Sequence, residues 1–302
     1  MRRSLLGTVL LASALVLAAC GKTALPDAGG RLTVVAAFYP LQFVSERVGG
    51  DAVSVTNLTA PGAEPHDLEL TPRQVAQIAE AQVVVYLKGL QPDVDKAVAE
   101  QAKGTVIDVS ELVPMLTATG EAASEAPGLH GRDPHVWLDP TRLSTITAAV
   151  AAKLGAADSG HASTFTANAA KLEADLGELD MEYAAGLQTC ARKQIFTSHA
   201  AFAYLAQRYG LQQVALSGLD PEIEPTPKQL AQVAQQARES GATTIFYETL
   251  VSPKVAETIA REVGIKAEVL DPIEGLAPGA GGDYLSIMGD NLSTLRTALG
   301  CS

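Results

Sequence analysis

The sequence predicts an α/β protein: two similar lobes, each a parallel sheet with helices, bridged by one long rigid helix, with a ligand in the cleft between them. Three observations predict it. Strand and helix patterns alternate from Leu32 to about Leu112 and again from about Lys193 to Leu276, which implies parallel sheets with right-handed crossovers. The two stretches repeat one another. Glu69-Leu-Thr-Pro-Arg-Gln-Val-Ala-Gln-Ile-Ala79 matches Glu224-Pro-Thr-Pro-Lys-Gln-Leu-Ala-Gln-Val-Ala234, and Val106-Ile-Asp-Val-Ser-Glu-Leu112 resembles Val269-Leu-Asp-Pro-Ile-Glu-Gly275, as an internal duplication would. Between them, Ser163 to Leu187 is a long helical stretch rich in Ala and Leu, able to reach nearly 40 Å at about 1.5 Å per residue.

The elements follow in chain order. Leu32 to Phe38 is an apolar strand, and Phe43, Val44 and Val48 stripe a helix stopped by Gly49-Gly50. Val53 to Leu58 alternates as a strand does. Thr71-Pro72 opens a helix, Thr as cap and Pro in its first turn. Val83 to Leu87 is apolar throughout, as a strand buried on both faces is. Another helix and the strand Thr105–Val109 complete the first unit, and Thr141 to Leu154 reads as a helix ending near Gly155. In the second unit the expected strands are Gln194–Ser198, Thr243–Tyr247 and Ala267–Asp271. The expected helices run from Ala200 to Tyr209 and start again at Thr226-Pro227 and Ser252-Pro253. Thr117 to Arg132 is of low complexity and reads as a loop.

The 302 residues suit two lobes, and 47% hydrophobic against 19% charged residues supports a sizeable core. A formal charge of −12 repels nucleic acid and anionic lipid. The first residues set the compartment. Arg2-Arg3 precedes an apolar run from Leu5 to Leu17, too short to span a bilayer, which ends in Leu17-Ala18-Ala19-Cys20. Small residues before a cysteine resemble a bacterial lipobox. That implies cleavage of a signal peptide (residues 1–19), lipidation of Cys20 and a tether over residues 20–31; cleavage without lipidation is the alternative. The remainder divides into a first lobe (32–158), a linker helix (159–190) and a second lobe (191–302). Cys190 and Cys301 remain in an exported chain, where an even pair suggests a disulfide, against the alternative of two unrelated thiols.

The five histidines carry the chemistry. His66 sits on a turn after a strand and before a helix, at the carboxyl edge where open α/β sheets bind ligands. His135 lies between two Asp-Pro breaks, with Trp137 able to wall a site. His199 follows the strand Gln194–Ser198, and Asp271 ends the last strand of the second lobe. Four ligand-type residues from two lobes thus converge on one cleft. His130 in the loop and His161 before the long helix read as surface residues.

The runs Pro-Gly-Ala-Glu-Pro-His66-Asp, Asp-Pro-His135-Val-Trp-Leu-Asp-Pro and Thr-Ser-His199-Ala-Ala-Phe-Ala-Tyr-Leu resemble the zinc- and manganese-binding lipoproteins of bacterial ABC metal importers. The resemblance covers essentially the whole chain after the leader. It implies metal held by His66, His135, His199 and the Asp of Leu270-Asp271-Pro272. A carboxylate beside the first histidine, or water, serves as the fourth contact in some members. Here Pro65 displaces Glu64 from His66, which favours Asp271 and leaves Glu64 a supporting role beside Trp137 and Glu248, the last orienting a ligand. Many zinc-binding relatives carry a His-rich loop where this chain has Thr117 to Arg132 with His130 alone. Three imidazoles and a carboxylate suit Zn2+, whereas Mn2+ prefers more oxygen and its binders usually place Glu where this sequence has His199. The resemblance further implies a monomer on the extracytoplasmic face of the membrane, delivering metal to an ABC permease and its ATPase. Two other readings stand beside it: a zinc hydrolase with Glu248 as general base, which lacks a His-Glu-x-x-His helix, and a binder of chelated cofactors, poorly served by 5% aromatic residues.

Overall fold

A computed structural model describes residues 29–118 and 129–302. The leader, Cys20 and most of the tether lie outside the described residues, as does the interior of the Thr117–Arg132 loop. No described helix is long and apolar enough to cross a membrane.

The first lobe runs β1 (Leu32–Ala36), α1 (Tyr39–Gly49), β2 (Val53–Asn57), α2 (Pro72–Glu80), β3 (Val83–Tyr86), α3 (Pro92–Gln101) and β4 (Thr105–Asp108). Next come α4 (Pro140–Ala157) and α5 (Ala162–Leu187). The second lobe runs β5 (Gln194–Thr197), α6 (Ala203–Tyr209), β6 (Gln212–Ala215), α7 (Pro227–Glu239), β7 (Thr244–Tyr247), α8 (Lys254–Val263), β8 (Lys266–Val269) and α9 (Tyr284–Leu299). Both sheets are parallel and share one order, β2-β1-β3-β4 and β6-β5-β7-β8. The duplication extends to hydrogen bonds. Thr71 with Gln74 and Thr226 with Gln229 form reciprocal capping boxes, each with Pro in the first turn of its helix.

β3 is buried at every position, as its unbroken Val83-Val-Val-Tyr86 run requires of a central strand. β6 carries two glutamines at a sheet edge and no strand pattern, so the sequence does not announce it. The helix expected from Ala200 forms only from Ala203. Residues 198–201 instead turn His199 inward, with the Ala200 N–H donated to the Gly218 carbonyl at 2.7 Å.

The strut α5 has 26 residues and is fastened to both lobes. Asp175 takes Arg47 of α1 at 2.5 Å, and Asp180 takes the Arg208 guanidinium of α6 through two bonds of 2.5 and 2.6 Å. The Tyr183 hydroxyl donates to the Met288 carbonyl of α9 at 2.7 Å and its ring stacks on Tyr209. Bidentate Arg–carboxylate pairing adds geometric definition that a lone lysine would not.

Cys190 and Cys301 form a disulfide across 111 residues of chain, joining the end of the strut to the C-terminal tail. A crosslink closing so long a loop restricts the unfolded chain. Reduction, or paired replacement by serine, is therefore expected to cost about 2–4 kcal/mol. The measurement is a thermal melt with and without reductant, and unchanged melting would show that the tail is held by other contacts.

Candidate metal centre

Each histidine is delivered by an acid–proline turn or a strand end. In Glu64-Pro-His66 the His66 N–H donates to Glu64 Oε1 at 2.9 Å. In Asp133-Pro-His135 the His135 N–H donates to Asp133 Oδ1, also at 2.9 Å. Proline favours an extended residue before it, and the acid then bonds its own backbone two residues on. The same turn recurs at Asp139/Thr141, Asp220/Glu222 and Asp271/Ile273, with bonds of 2.7–2.9 Å.

The histidine side chains are oriented in turn. His135 Nδ1 lies 2.8 Å from Asp133 Oδ1 and His199 Nδ1 lies 2.8 Å from Glu248 Oε1, which also accepts the Ser198 hydroxyl at 2.6 Å. A carboxylate on Nδ1 leaves Nε2 free to face a cation. All three Nε2 atoms converge on one oxygen, Glu274 Oε1, at 2.9 Å from His135, 3.2 Å from His199 and 3.5 Å from His66. One ligand atom from each of these four residues lies within 4.8 Å of the others. His135 and His199 are 0% and 1% exposed, so the cluster sits below the surface. Glu274 Oε2 and His66 Nε2 are buried without a hydrogen-bond partner, as groups awaiting a cation would be.

Asp271, the expected fourth ligand, does not join this group. Its Oδ1 accepts the Ile273 N–H at 2.7 Å and its Oδ2 accepts the Thr249 hydroxyl at 2.8 Å. One oxygen of Asp271 thus serves the acid–proline turn and the other serves Thr249. β8 ends at Val269, and Ile273 adopts a left-handed backbone (φ 59°) that throws the next residue, Glu274, into the cleft. Asp271 is thus not among the four residues whose ligand atoms cluster, and Glu274 stands where it was expected. Glu274 lies three residues beyond Asp271, aligned with Glu111 by the internal repeat.

Trp137 walls the site, its ring 5.3 Å from that of His135 and 5.0 Å from that of Phe38. His161 lies at the surface, bonded to Asp158 at 2.7 Å, and exposed His130 occupies a left-handed turn; neither joins the cluster.

Electrostatics follow from burial and pairing. Burial alone would lower the His135 pKa, but Asp133 and Glu274 outweigh it and raise it. Burial likewise opposes protonation of His199, which Glu248 and Glu274 raise well above the ordinary value. Burial would raise Glu274, yet His199 and His135 hold it well below the usual carboxylate range. Glu64, buried and near the Glu274 carboxylate, is pushed up to about 10.

Fold and cluster define the class: a two-lobed parallel α/β protein with three imidazoles and a carboxylate gathered between its lobes to receive a cation. Residues 34–298 match the family described as zinc-uptake complex component A, periplasmic (ZnuA). The chain belongs to that family. It is 36% identical over 302 residues to the zinc-binding lipoprotein AdcA of Streptococcus pneumoniae, matching 96% of this chain and 60% of that protein. The chain thus spans about 60% of the length of the AdcA proteins it resembles. With the high-affinity zinc uptake system protein ZnuA of Bacillus subtilis it shares 32% identity over 307 residues, 96% of each chain. Among solved structures, the Zn(II)-bound ZnuA-like domain of S. pneumoniae AdcA superposes with a TM-score of 0.75 at 35% identity, over 89% of this chain and 99% of that one. The laminin-binding protein Lmb of Streptococcus agalactiae superposes at 0.79 with 31% identity, over 89% and 99%.

Proposed function

We propose that this chain captures one zinc ion at the extracytoplasmic face of the membrane and delivers it to an ABC permease driven by its ATPase. Zinc is the cargo, held by His66, His135, His199 and Glu274. The observation that carries the reading is the convergence of three Nε2 atoms on one carboxylate oxygen. Three nitrogens and one oxygen match a tetrahedral zinc shell, whereas manganese calls for more oxygen donors. Anchoring through a lipid on Cys20 rests on the lipobox-like Leu17-Ala18-Ala19-Cys20, with support from the lipoprotein name of the S. pneumoniae relative.

A binding role fits this shell better than hydrolysis. Catalytic zinc usually keeps three protein ligands and one open position, while here four protein donors surround the centre. Glu248, the candidate general base, has its Oε1 engaged by His199 and Ser198, as a group orienting a ligand would. The test is metal analysis of untagged protein prepared without chelators, followed by cobalt substitution. One equivalent of zinc and an intense tetrahedral cobalt spectrum are expected. Failure to retain zinc, or a weak octahedral spectrum, would overturn the reading.

A further inference from the structure

The Glu274 carboxylate differs from the histidines in how it is held. His135 and His199 are each oriented by a carboxylate outside the four-residue cluster, Asp133 and Glu248. The hydrogen bonds of Glu274 run only to the histidines it faces, and its second oxygen has no partner. Its position is therefore dictated by its backbone.

That backbone is clamped on both sides by the first lobe. Upstream, the Trp137 indole N–H donates to the Pro272 carbonyl at 2.7 Å. Downstream, the Gly62 N–H donates to the Leu276 carbonyl at 2.8 Å. Within the second lobe, Asn291 grips the Asp271 backbone with both ends of its amide, at 2.9 and 2.7 Å. Between these holds lies Ile273, a β-branched residue at φ 59° and wholly buried. Such a conformation is strained for a β-branched residue and persists only where its surroundings impose it. The segment belongs by sequence to the second lobe, yet its flanks are bonded to the loops that carry His135 and His66.

We infer that the Trp137 indole N–H, through Pro272, seats the Glu274 carboxylate at the cation, so that Glu274 is a ligand only while the lobes are closed. Trp137 is a positioning residue in this scheme. When the lobes part, its bond to Pro272 breaks, Ile273 relaxes from the left-handed region, and Glu274 withdraws. His199 keeps its orientation, because Glu248 and Ser198 travel with it. This inference rests on the zinc-binding reading above.

The chain has a single tryptophan, so biosynthetic replacement by benzothienylalanine alters that ring alone and swaps only its N–H for sulfur. Trp137→Phe is the genetic counterpart. Zinc is expected to leave either protein about tenfold faster, the low end of the effect of outer-shell partners, with a shift in the cobalt spectrum reporting the disturbed carboxylate. In a Glu274→Ala background the same replacement should change neither. Equal dissociation rates with and without the indole N–H, or the same acceleration in the Glu274→Ala background, would overturn the inference. Absence of zinc binding by the unaltered protein would instead overturn the proposed function, so the two failures are distinguishable.

Discussion

Glu274→Ala is expected to weaken zinc binding by more than the roughly 10–100-fold seen for outer-shell losses, while Asp271→Asn leaves affinity nearly unchanged. The contrast follows from where the two carboxylates are spent. Glu274 Oε1 is the point on which three imidazoles converge, and removing it deletes a donor along with the only negative charge among the four. Two buried imidazoles with raised pKa values then lose the anion they share. Asp271 serves its own turn, and asparagine keeps an oxygen to accept the Ile273 N–H. Competition against a fluorescent zinc chelator measures both. The reverse ranking would restore Asp271 as the ligand and remove Glu274 from the centre.

Acidification supplies the second large effect. A metal ion requires unprotonated Nε2 atoms. Asp133 beside His135 and Glu248 beside His199, together with the shared Glu274, outweigh burial and raise both pKa values above the ordinary 6.5, so protons are held on these rings to higher pH than on a free histidine. Zinc must then expel them. Apparent affinity therefore rises with pH until the raised values are passed, and falls below that point by about tenfold per pH unit for each proton expelled. Glu274, held well below the carboxylate range by the histidines, stays ionised and does not contribute to the loss. Titrations between about pH 5 and 8.5, the histidine window, should show the slope. Calorimetry in buffers of differing ionisation enthalpy should show the released protons. A flat profile would rule out an imidazole shell.

Most of the architecture was legible because its elements obey local rules. Val83–Tyr86 is apolar throughout, Thr71-Pro72 and Thr226-Pro227 announce their helices, and the strut is long and rich in alanine. The three histidines were legible for a different reason: each follows a proline turn or a strand end at a carboxyl edge. β6 was not legible, since two glutamines in a four-residue edge strand carry no period. The place of Glu274 was not legible, because the strand end points to Asp271, whose two oxygens serve the Ile273 N–H and the Thr249 hydroxyl instead. Glu64 before Pro65 and Asp271 before Pro272 are subject to a related local constraint, each accepting the N–H two residues on. Which residue then faces the cation depends on the left-handed twist at Ile273, a conformation that a β-branched side chain gives no hint of.

The matched sheets have one more consequence. Each half of the molecule supplies two of the four donors, His66 and His135 from one side and His199 and Glu274 from the other. In the proposed zinc-binding role either half alone would be a two-toothed chelator, and the grip would come from both jaws meeting on one ion. Letting go would then be a steep event: once one jaw slackened, the ion would fall from four contacts to two, and water would complete its departure.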